Sequence, residues 1–369
     1  MRACAEIDLA AIAHNIASIR AKTKAQILAV VKADAYGHGL IPVAQTAVKS
    51  GAQWLGVALL EEAIALRQAG VNVPIISWLT TTGDDFEAAL RNQIDLSISS
   101  LEIFDLVLAE ARRIGIKPRL HFEVDTGMSR GGFLQQWPAL INSAIIAAAE
   151  FTLVGLWSHF ARADEPDEPM NQTQIEEFEH FRSDLERAGI KAQFFHQANS
   201  AAAMTNPQSH RDIIRIGIAM YGLSPDLDTM GDSQSLGLIP AMTLKSRLVL
   251  VKKVPAGNSV GYGATAIVDR DTTLGVVALG YADGIPRNTS SAAKVSVDGQ
   301  LAPIIGRVSM DQFVVDLGPD SIAKTGDWVV IFGKGGASVD TWATAAGTIN
   351  YEIVTRIGPR VPRIYLPKN

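Results

Sequence analysis

The sequence predicts an α/β fold in two parts: an N-terminal (β/α)8 TIM-like barrel over residues 1–235 and a C-terminal, mostly antiparallel β domain over residues 236–369. Three observations carry this expectation. Short apolar runs alternate with amphipathic stretches of helical period, which is the pattern of parallel strands with helical crossovers. Between Ser224 and Leu238 the composition turns to Ser, Pro, Asp and Gly, which marks a domain boundary. Beyond it helical periodicity nearly vanishes, and Asp298-Gly299 signals a tight hairpin.

In chain order, Arg2–Asp8 reads as a short strand that is free to pack with the second domain. Asp8 then caps a helix over Leu9–Ala21 with Ile12, Ile16 and Ile19 on one face. Eight strand-like runs follow: Ile27–Val31, Trp54–Val57, Pro74–Trp78, Asp95–Ile98, Arg119–Val124, Phe151–Trp157, Gln193–Phe195 and Ile213–Ile216. Helical stretches between them include Leu59–Ala69, Leu101–Ile114, Trp137–Glu150 and Asn171–Ala188. A doubly wound open sheet is the alternative, and no GxGxxG opens the first helix to support it. In the second domain Leu244–Val254, Thr273–Leu279, Lys294–Val297, Phe313–Asp316 and Asp327–Phe332 read as strands, with one helix over Thr341–Arg356.

Composition removes several function classes. The chain has 369 residues, 47% hydrophobic and 19% charged, enough for a sizeable core and too apolar for wholesale disorder. A formal net charge of −5 argues against a general nucleic-acid binder. A single cysteine, Cys4, allows no intrachain disulfide and fits a reducing cytoplasm. Neither a signal peptide nor a membrane span is expected, since the longest apolar runs are short and interrupted by charge. His38 and His159 lack the partner spacing of a zinc site. No P-loop or G-x-S-x-G elbow is present.

The chemistry concentrates at Ile27–Gly39. A buried strand delivers Lys32 at its C-terminal end, where barrel enzymes place their reactive groups. Partial burial lowers an amine's pKa, and the neutral amine is the nucleophile that condenses with an aldehyde. A strand-end lysine that simply reaches water is the plainer reading of the same spacing. The stretch AVVKADAYGHG resembles the pyridoxal-phosphate (PLP) lysine motif of alanine racemases. The resemblance continues in order through VDTGMSR, SHFARADE, ANSAA, RIGIAMYG, VGYGAT, GYADG, GRVSMDQ and TINYE, so it spans nearly the whole chain.

The resemblance implies a cofactor, pyridoxal 5'-phosphate, and a cytoplasmic isomerase that interconverts L- and D-alanine and supplies D-alanine for peptidoglycan. It further implies Lys32 as the cofactor lysine and one of two bases, and Tyr262 as the other. Ser200, Gly217 and Ile218 would hold the phosphate, with the hydroxyls of Tyr36 and Tyr351 closing around it. Taken singly, Ser200 reads as a helix N-cap, Gly217 as a turn and Tyr262, between two glycines, as a turn residue. Arg215 would face the pyridine nitrogen; an arginine there donates a hydrogen bond but does not give up its proton. His159 and Arg215 would support Tyr262. Arg130 and the backbone of Met310 would meet the substrate carboxylate, with Asp311 orienting, while Tyr281 and Tyr351 narrow the entrance. Because Tyr262 lies in the second domain and would serve the other subunit's site, a homodimer with shared active sites is implied.

Two residues depart from the family pattern. Glu123 stands where many members carry a carbamylated lysine, and its carboxylate is expected to pair directly with Arg130. Ser309 stands where cysteine is frequent, with little expected effect. The alternatives are a broad-specificity racemase of the same fold and a non-catalytic PLP carrier; the second domain, with Tyr262 and Met310, speaks against the carrier. A fold-related decarboxylase is a third, and its motifs are missing.

Overall fold

The computed structural model describes residues 1–367, so the last two residues of the expected second domain, 368–369, lie outside the described residues. The chain divides into two compact units. One comprises Ile12–Ala35 and Leu40–Leu238; the other comprises Met1–Ala11, Tyr36–Gly39 and the chain from Ile239 onward.

The first unit is the barrel. After β1 (Ala3–Asp8) come β2 (Gln26–Val30), β3 (Trp54–Val57), β4 (Ile75–Ser77), β5 (Asp95–Ile98), β6 (Arg119–Glu123), β7 (Thr152–Trp157), β8 (Phe194–His196) and β9 (Ile213–Ile216). Strands β2 to β9 form one parallel sheet in the order β8-β7-β6-β5-β4-β3-β2-β9. It closes between β8 and β9 through the N–H of Asp212 to Phe195 O (3.1 Å) and the N–H of Arg215 to Ala198 O (3.0 Å). These strands are buried on both faces, which is why they read as near-continuous apolar runs. The crossover helices obey simple local rules. The helix Leu101–Ile114 starts where the Ser100 hydroxyl accepts from the Ile103 N–H (3.3 Å) and stops at Gly115, whose φ of 68° suits a residue without a side chain. Its buried residues Ile103, Phe104, Val107, Leu108 and Ala111 recur at the helical period.

The second unit is a β structure. Its strands are β10 (Met242–Val254), β11 (Ser259–Val260), β12 (Ala266–Ile267), β13 (Thr272–Val277), β14 (Lys294–Val297), β15 (Gln300–Ile305), β16 (Phe313–Gly318), β17 (Trp328–Phe332) and β18 (Arg363–Leu366). The main sheet runs β13-β16-β15-β14-β17-β10-β1-β18, and β13 also pairs β10. All these pairings are antiparallel except β1 with β18. β1 thus joins this sheet, held between β10 and β18. The hairpin expected at Asp298-Gly299 connects β14 and β15.

The single helix expected over Thr341–Arg356 is two helices, Val339–Ala346 and Asn350–Thr355. Gly347, in the left-handed region at φ 65°, caps the first and turns the chain before the second, which carries Tyr351.

Candidate active site

Lys32 begins just past the C-terminal end of β2, in a turn that local propensity opposes. Ala33, Asp34, Ala35 and Tyr36 all have φ of 52–53°, and Gly37 follows at 77°. Each non-glycine residue held there costs about 1–2 kcal/mol. Strain of this kind persists only where the surroundings over-determine the conformation, and such places cluster at functional sites. The Glu62 carboxylate accepts from the Ala33 N–H (2.6 Å) and from those of Ala58 and Leu59 (3.0 and 3.1 Å). The Asp34 carboxylate accepts from the Leu40 N–H at 2.7 Å. The consequence is a half-buried Lys32 whose amine has no hydrogen-bond or ion-pair partner among the described residues. Burial first, and then the positive charge of Arg130, pull its pKa below the ordinary lysine value, with Glu62 opposing.

Around the same barrel end, Arg215 on β9 is buried and saturated on two of its nitrogens. Nη1 donates to His196 O (3.0 Å) and His196 Nδ1 (3.3 Å). Nη2 shares its two hydrogens among Ser158 O (2.8 Å), Gln197 O (3.0 Å) and His159 Nδ1 (3.1 Å). The guanidinium also lies 5.1 Å from the Trp157 ring centre. Burial lowers its pKa to about 9, which still leaves it charged at neutral pH. Because arginine can only donate, His159 Nδ1 accepts, and a neutral His159 carries its proton on Nε2. Burial and the charges of Arg215, Arg130 and Lys32 hold that imidazole neutral.

Ser200 begins the helix Ser200–Thr205, and the cap there is Asn199, whose side chain accepts from the Ala202 N–H. Ser200 is therefore not the N-cap that its position alone suggested. Its hydroxyl instead meets the turn after β9, accepting from the N–H of Gly217 at 2.8 Å and that of Ala219 at 3.5 Å. Gly217 precedes the short turn Ile218–Tyr221, whose first N–H groups have no acceptor within it. Hydroxyl and backbone donors thus converge without side-chain bulk, a donor set that suits a phosphate. With an unpartnered amine on one side and a charged donor on the other, the residues present fit PLP.

Glu123, at the end of β6, does not make the expected ion pair: among the described residues no Arg130 nitrogen lies within 4.0 Å of its carboxylate. The carboxylate instead lies close to Gly131, where an added Cβ would come 3.2 Å from Oε1. Burial raises its pKa to about 7 despite the charges of Arg130 and Arg215. Below its ordinary 4.5 the carboxyl is protonated in both folded and unfolded chains. Between 4.5 and about 7 only the folded chain keeps the proton, so its contribution to stability is lost as pH rises through that window. Glu123→Gln is expected to flatten this slope and to stabilise the protein at pH 8 by up to about 3 kcal/mol, with little change at pH 4.5. Thermal melts at the two pH values check it; a lower melting temperature for the variant at pH 8 would contradict it.

The remaining candidates belong to the β unit. Tyr36 is buried, its phenol held protonated by burial, and its ring centre is 6.3 Å from that of Tyr351. Gly37 is required beside them, since an added Cβ would lie 2.2 Å from Val354 O. Tyr281 and Met310 share one corner: the Tyr281 N–H donates to Ser309 O (3.0 Å) and the Ala282 N–H to Met310 O (2.9 Å). Asp311 is committed to Arg360 at 2.7 Å, which suits an orienting role. Tyr262 sits between Gly261 (φ 73°) and Gly263 (φ 75°), and 72% of its surface is exposed. Tyr281 and Met310 are also exposed. The sequence reading did not single out Glu62 or His196. A histidine ending an apolar strand was a visible signal for His196, whereas nothing local marks Glu62 as the anchor of a turn 29 residues earlier.

Residues 7–225 match the alanine racemase N-terminal domain, and residues 241–365 match the alanine racemase C-terminal domain. An alanine racemase of Frankia casuarinae is 46% identical over 373 residues, covering 99% of this chain and 97% of that protein. The crystal structure of alanine racemase from D-cycloserine-producing Streptomyces lavendulae superposes with a TM-score of 0.97 at 45% identity, covering 100% of this chain and 98% of that one. The Bacillus anthracis alanine racemase with bound L-Ala-P gives 0.90 at 35% identity, covering 99% and 95%. Barrel, β unit and the Lys32 turn therefore have their counterpart in a single family from one end of the chain to the other, and the chain belongs to the alanine racemase family.

Proposed function

We propose that this protein is a PLP-dependent alanine racemase, interconverting L- and D-alanine by a two-base reaction and supplying D-alanine for peptidoglycan in the cytoplasm. The observation that carries the reading is the Lys32 amine, half-buried at a barrel strand end, depressed in pKa and without a partner among the described residues. When bound, PLP supplies the electron sink that makes the α-proton of an amino acid removable. Lys32 would hold the cofactor aldehyde, and its amine would carry a proton at Nζ on one face of the substrate. Tyr262 of a second copy exchanges a proton at its hydroxyl from the other face.

Ser200, with the backbone N–H groups of Gly217 and Ile218, would hold the phosphate, and Tyr36 and Tyr351 supply the hydroxyls proposed to bond to it. Arg215 would face the pyridine nitrogen as a donor that keeps its proton at neutral pH, which would limit how strongly the ring withdraws electrons. Arg130 and the Met310 backbone would take the substrate carboxylate, and His159, which accepts from Arg215, would support Tyr262 by a hydrogen bond. Exposure of Tyr262, Tyr281 and Met310 in the single chain supports a homodimer whose partner covers them. No helix among the described residues is long and apolar enough to cross a membrane.

The test is an absorption spectrum of the purified protein before and after borohydride, with the modified peptide mapped. A yellow protein bleached by borohydride, with a pyridoxyl group on Lys32, is expected. A colourless protein that stays inactive when the aldehyde is restored would end the reading. Substrate profiling distinguishes the broad-specificity alternative, because one methylene of extra size changes the rate by only about 10–200-fold.

A further inference from the structure

The interior of the barrel holds a column of polar groups that starts at Arg215 and continues through three residues the proposed reaction leaves unused. TIM-barrel interiors are ordinarily filled by branched apolar side chains. Here Asp95, His121, His196 and Arg215 line up inside it, and all are buried. His196 Nδ1 is 3.3 Å from Arg215 Nη1. His196 Nε2 is 3.0 Å from His121 Nδ1. His121 Nε2 is 3.2 Å from Asp95 Oδ2. Asp95 ends the column by accepting from Arg119 Nε at 2.6 Å and Arg119 Nη2 at 3.0 Å. Space is reserved for the middle of it: a Cβ on Gly155 would lie 2.2 Å from His121 Nδ1.

Each joint needs one donor and one acceptor, and the two ends are fixed. Arg215 and Arg119 can only donate, and the Asp95 carboxylate can only accept. Neutral His196 must then accept on Nδ1 and donate from Nε2. His121 must accept on Nδ1 and donate from Nε2 to Asp95. A single tautomer assignment satisfies the whole column. Burial, and then the positive charge of Arg215, keep His196 neutral, as the assignment requires. The opposite tautomer of His196 would turn an N–H against Arg215 Nη1 and push the guanidinium out of place.

We propose that Asp95 and His121 are positioning residues for the racemase reaction: from inside the barrel they fix the tautomer of His196, and through it the orientation of Arg215 at the active site. This rests on the proposed function for its catalytic consequence, but not for its structural one. Arg215 keeps both terminal nitrogens occupied by His196, His159 and three carbonyls, while no described residue accepts from its Nε–H. Small rotations of the guanidinium would redirect that free donor.

The experiment is nitrogen NMR of the holoenzyme labelled at histidine, with resonances assigned by replacing the other histidines singly. His121 and His196 are expected as neutral Nε2–H tautomers at neutral pH. Finding either as the Nδ1–H tautomer or as imidazolium in the parent protein would overturn the proposal, with no variant needed. In Asp95→Asn the amide cannot accept from both Arg119 and His121, so His196 is expected to shift toward the Nδ1–H tautomer. The kcat should fall about 10–100-fold with KM for alanine little changed, in the manner of outer residues that orient a working group. An Asp95→Asn protein that folds, keeps both tautomers and retains kcat within about twofold would also overturn it. The tautomer measurement uses resting enzyme and needs no turnover, so failure of the racemase reading and failure of this proposal give different results.

Discussion

Lys32→Ala is expected to remove racemisation in both directions by at least about 10^4-fold while the protein stays folded. The size of the loss follows from the double duty placed on one amine. It anchors the cofactor covalently and serves as one of the two proton carriers, so no other group in the barrel can take over half of the task. The preserved fold follows from the surroundings. Among the described residues the amine makes no hydrogen bond or ion pair that its loss would orphan, and removing a half-buried charge relieves some desolvation. The left-handed turn is anchored through backbone N–H groups to Glu62 and Asp34, which the substitution leaves in place. Circular-dichroism melts should therefore stay within about 1 kcal/mol of the parent. Racemisation assays from each enantiomer, and loss of borohydride labelling at this position, read the chemistry. Activity near the parental level in the alanine variant would mean that another group holds the cofactor.

What could be seen in the sequence, and what could not, divides by the range of the forces involved. The barrel strands were visible because burial on both faces leaves them nearly all apolar, and the helix Leu101–Ile114 because Ser100 and Gly115 mark its ends. The second helix of the β unit was not separated from its neighbour, although Gly347 is a local stop signal; the apolar period continues across it. The left-handed turn after Lys32 was out of reach. Alanine, aspartate and tyrosine all disfavour it locally, and what enforces it is a carboxylate 29 residues away. Glu123 and Arg130 were legible as residue types, but their pairing was not: sequence gives charge and not the desolvation that lets a carboxyl stay near neutral pH without a partner. In the barrel interior, Asp95 and His121 broke otherwise apolar runs. Their meaning emerges only when β5, β6, β8 and β9 converge on one column.

Tyr262→Phe separates the two faces of the reaction and tests whether the site is shared between copies. The hydroxyl is the only group removed, and a residue 72% exposed in the single chain contributes little to its stability. Loss of one of two proton carriers should lower racemisation about 10^2–10^4-fold. The equilibrium constant between enantiomers is unity, so kcat/KM must fall equally in both directions. The asymmetry therefore shows elsewhere: in deuterated water one enantiomer should still exchange its α-proton through Lys32 without inverting, and the other should not. Mixing is the sharper test. If Lys32 of one copy works with Tyr262 of the other, equimolar Lys32→Ala and Tyr262→Phe proteins, dissociated and reassembled, should recover about a quarter of the parental sites, since half of randomly formed dimers are mixed and each holds one intact site. A site built within a single chain would recover nothing, because neither variant contains both groups. Recovery without subunit exchange, or none after it, would each reject the shared site and leave the exposed phenol without a role.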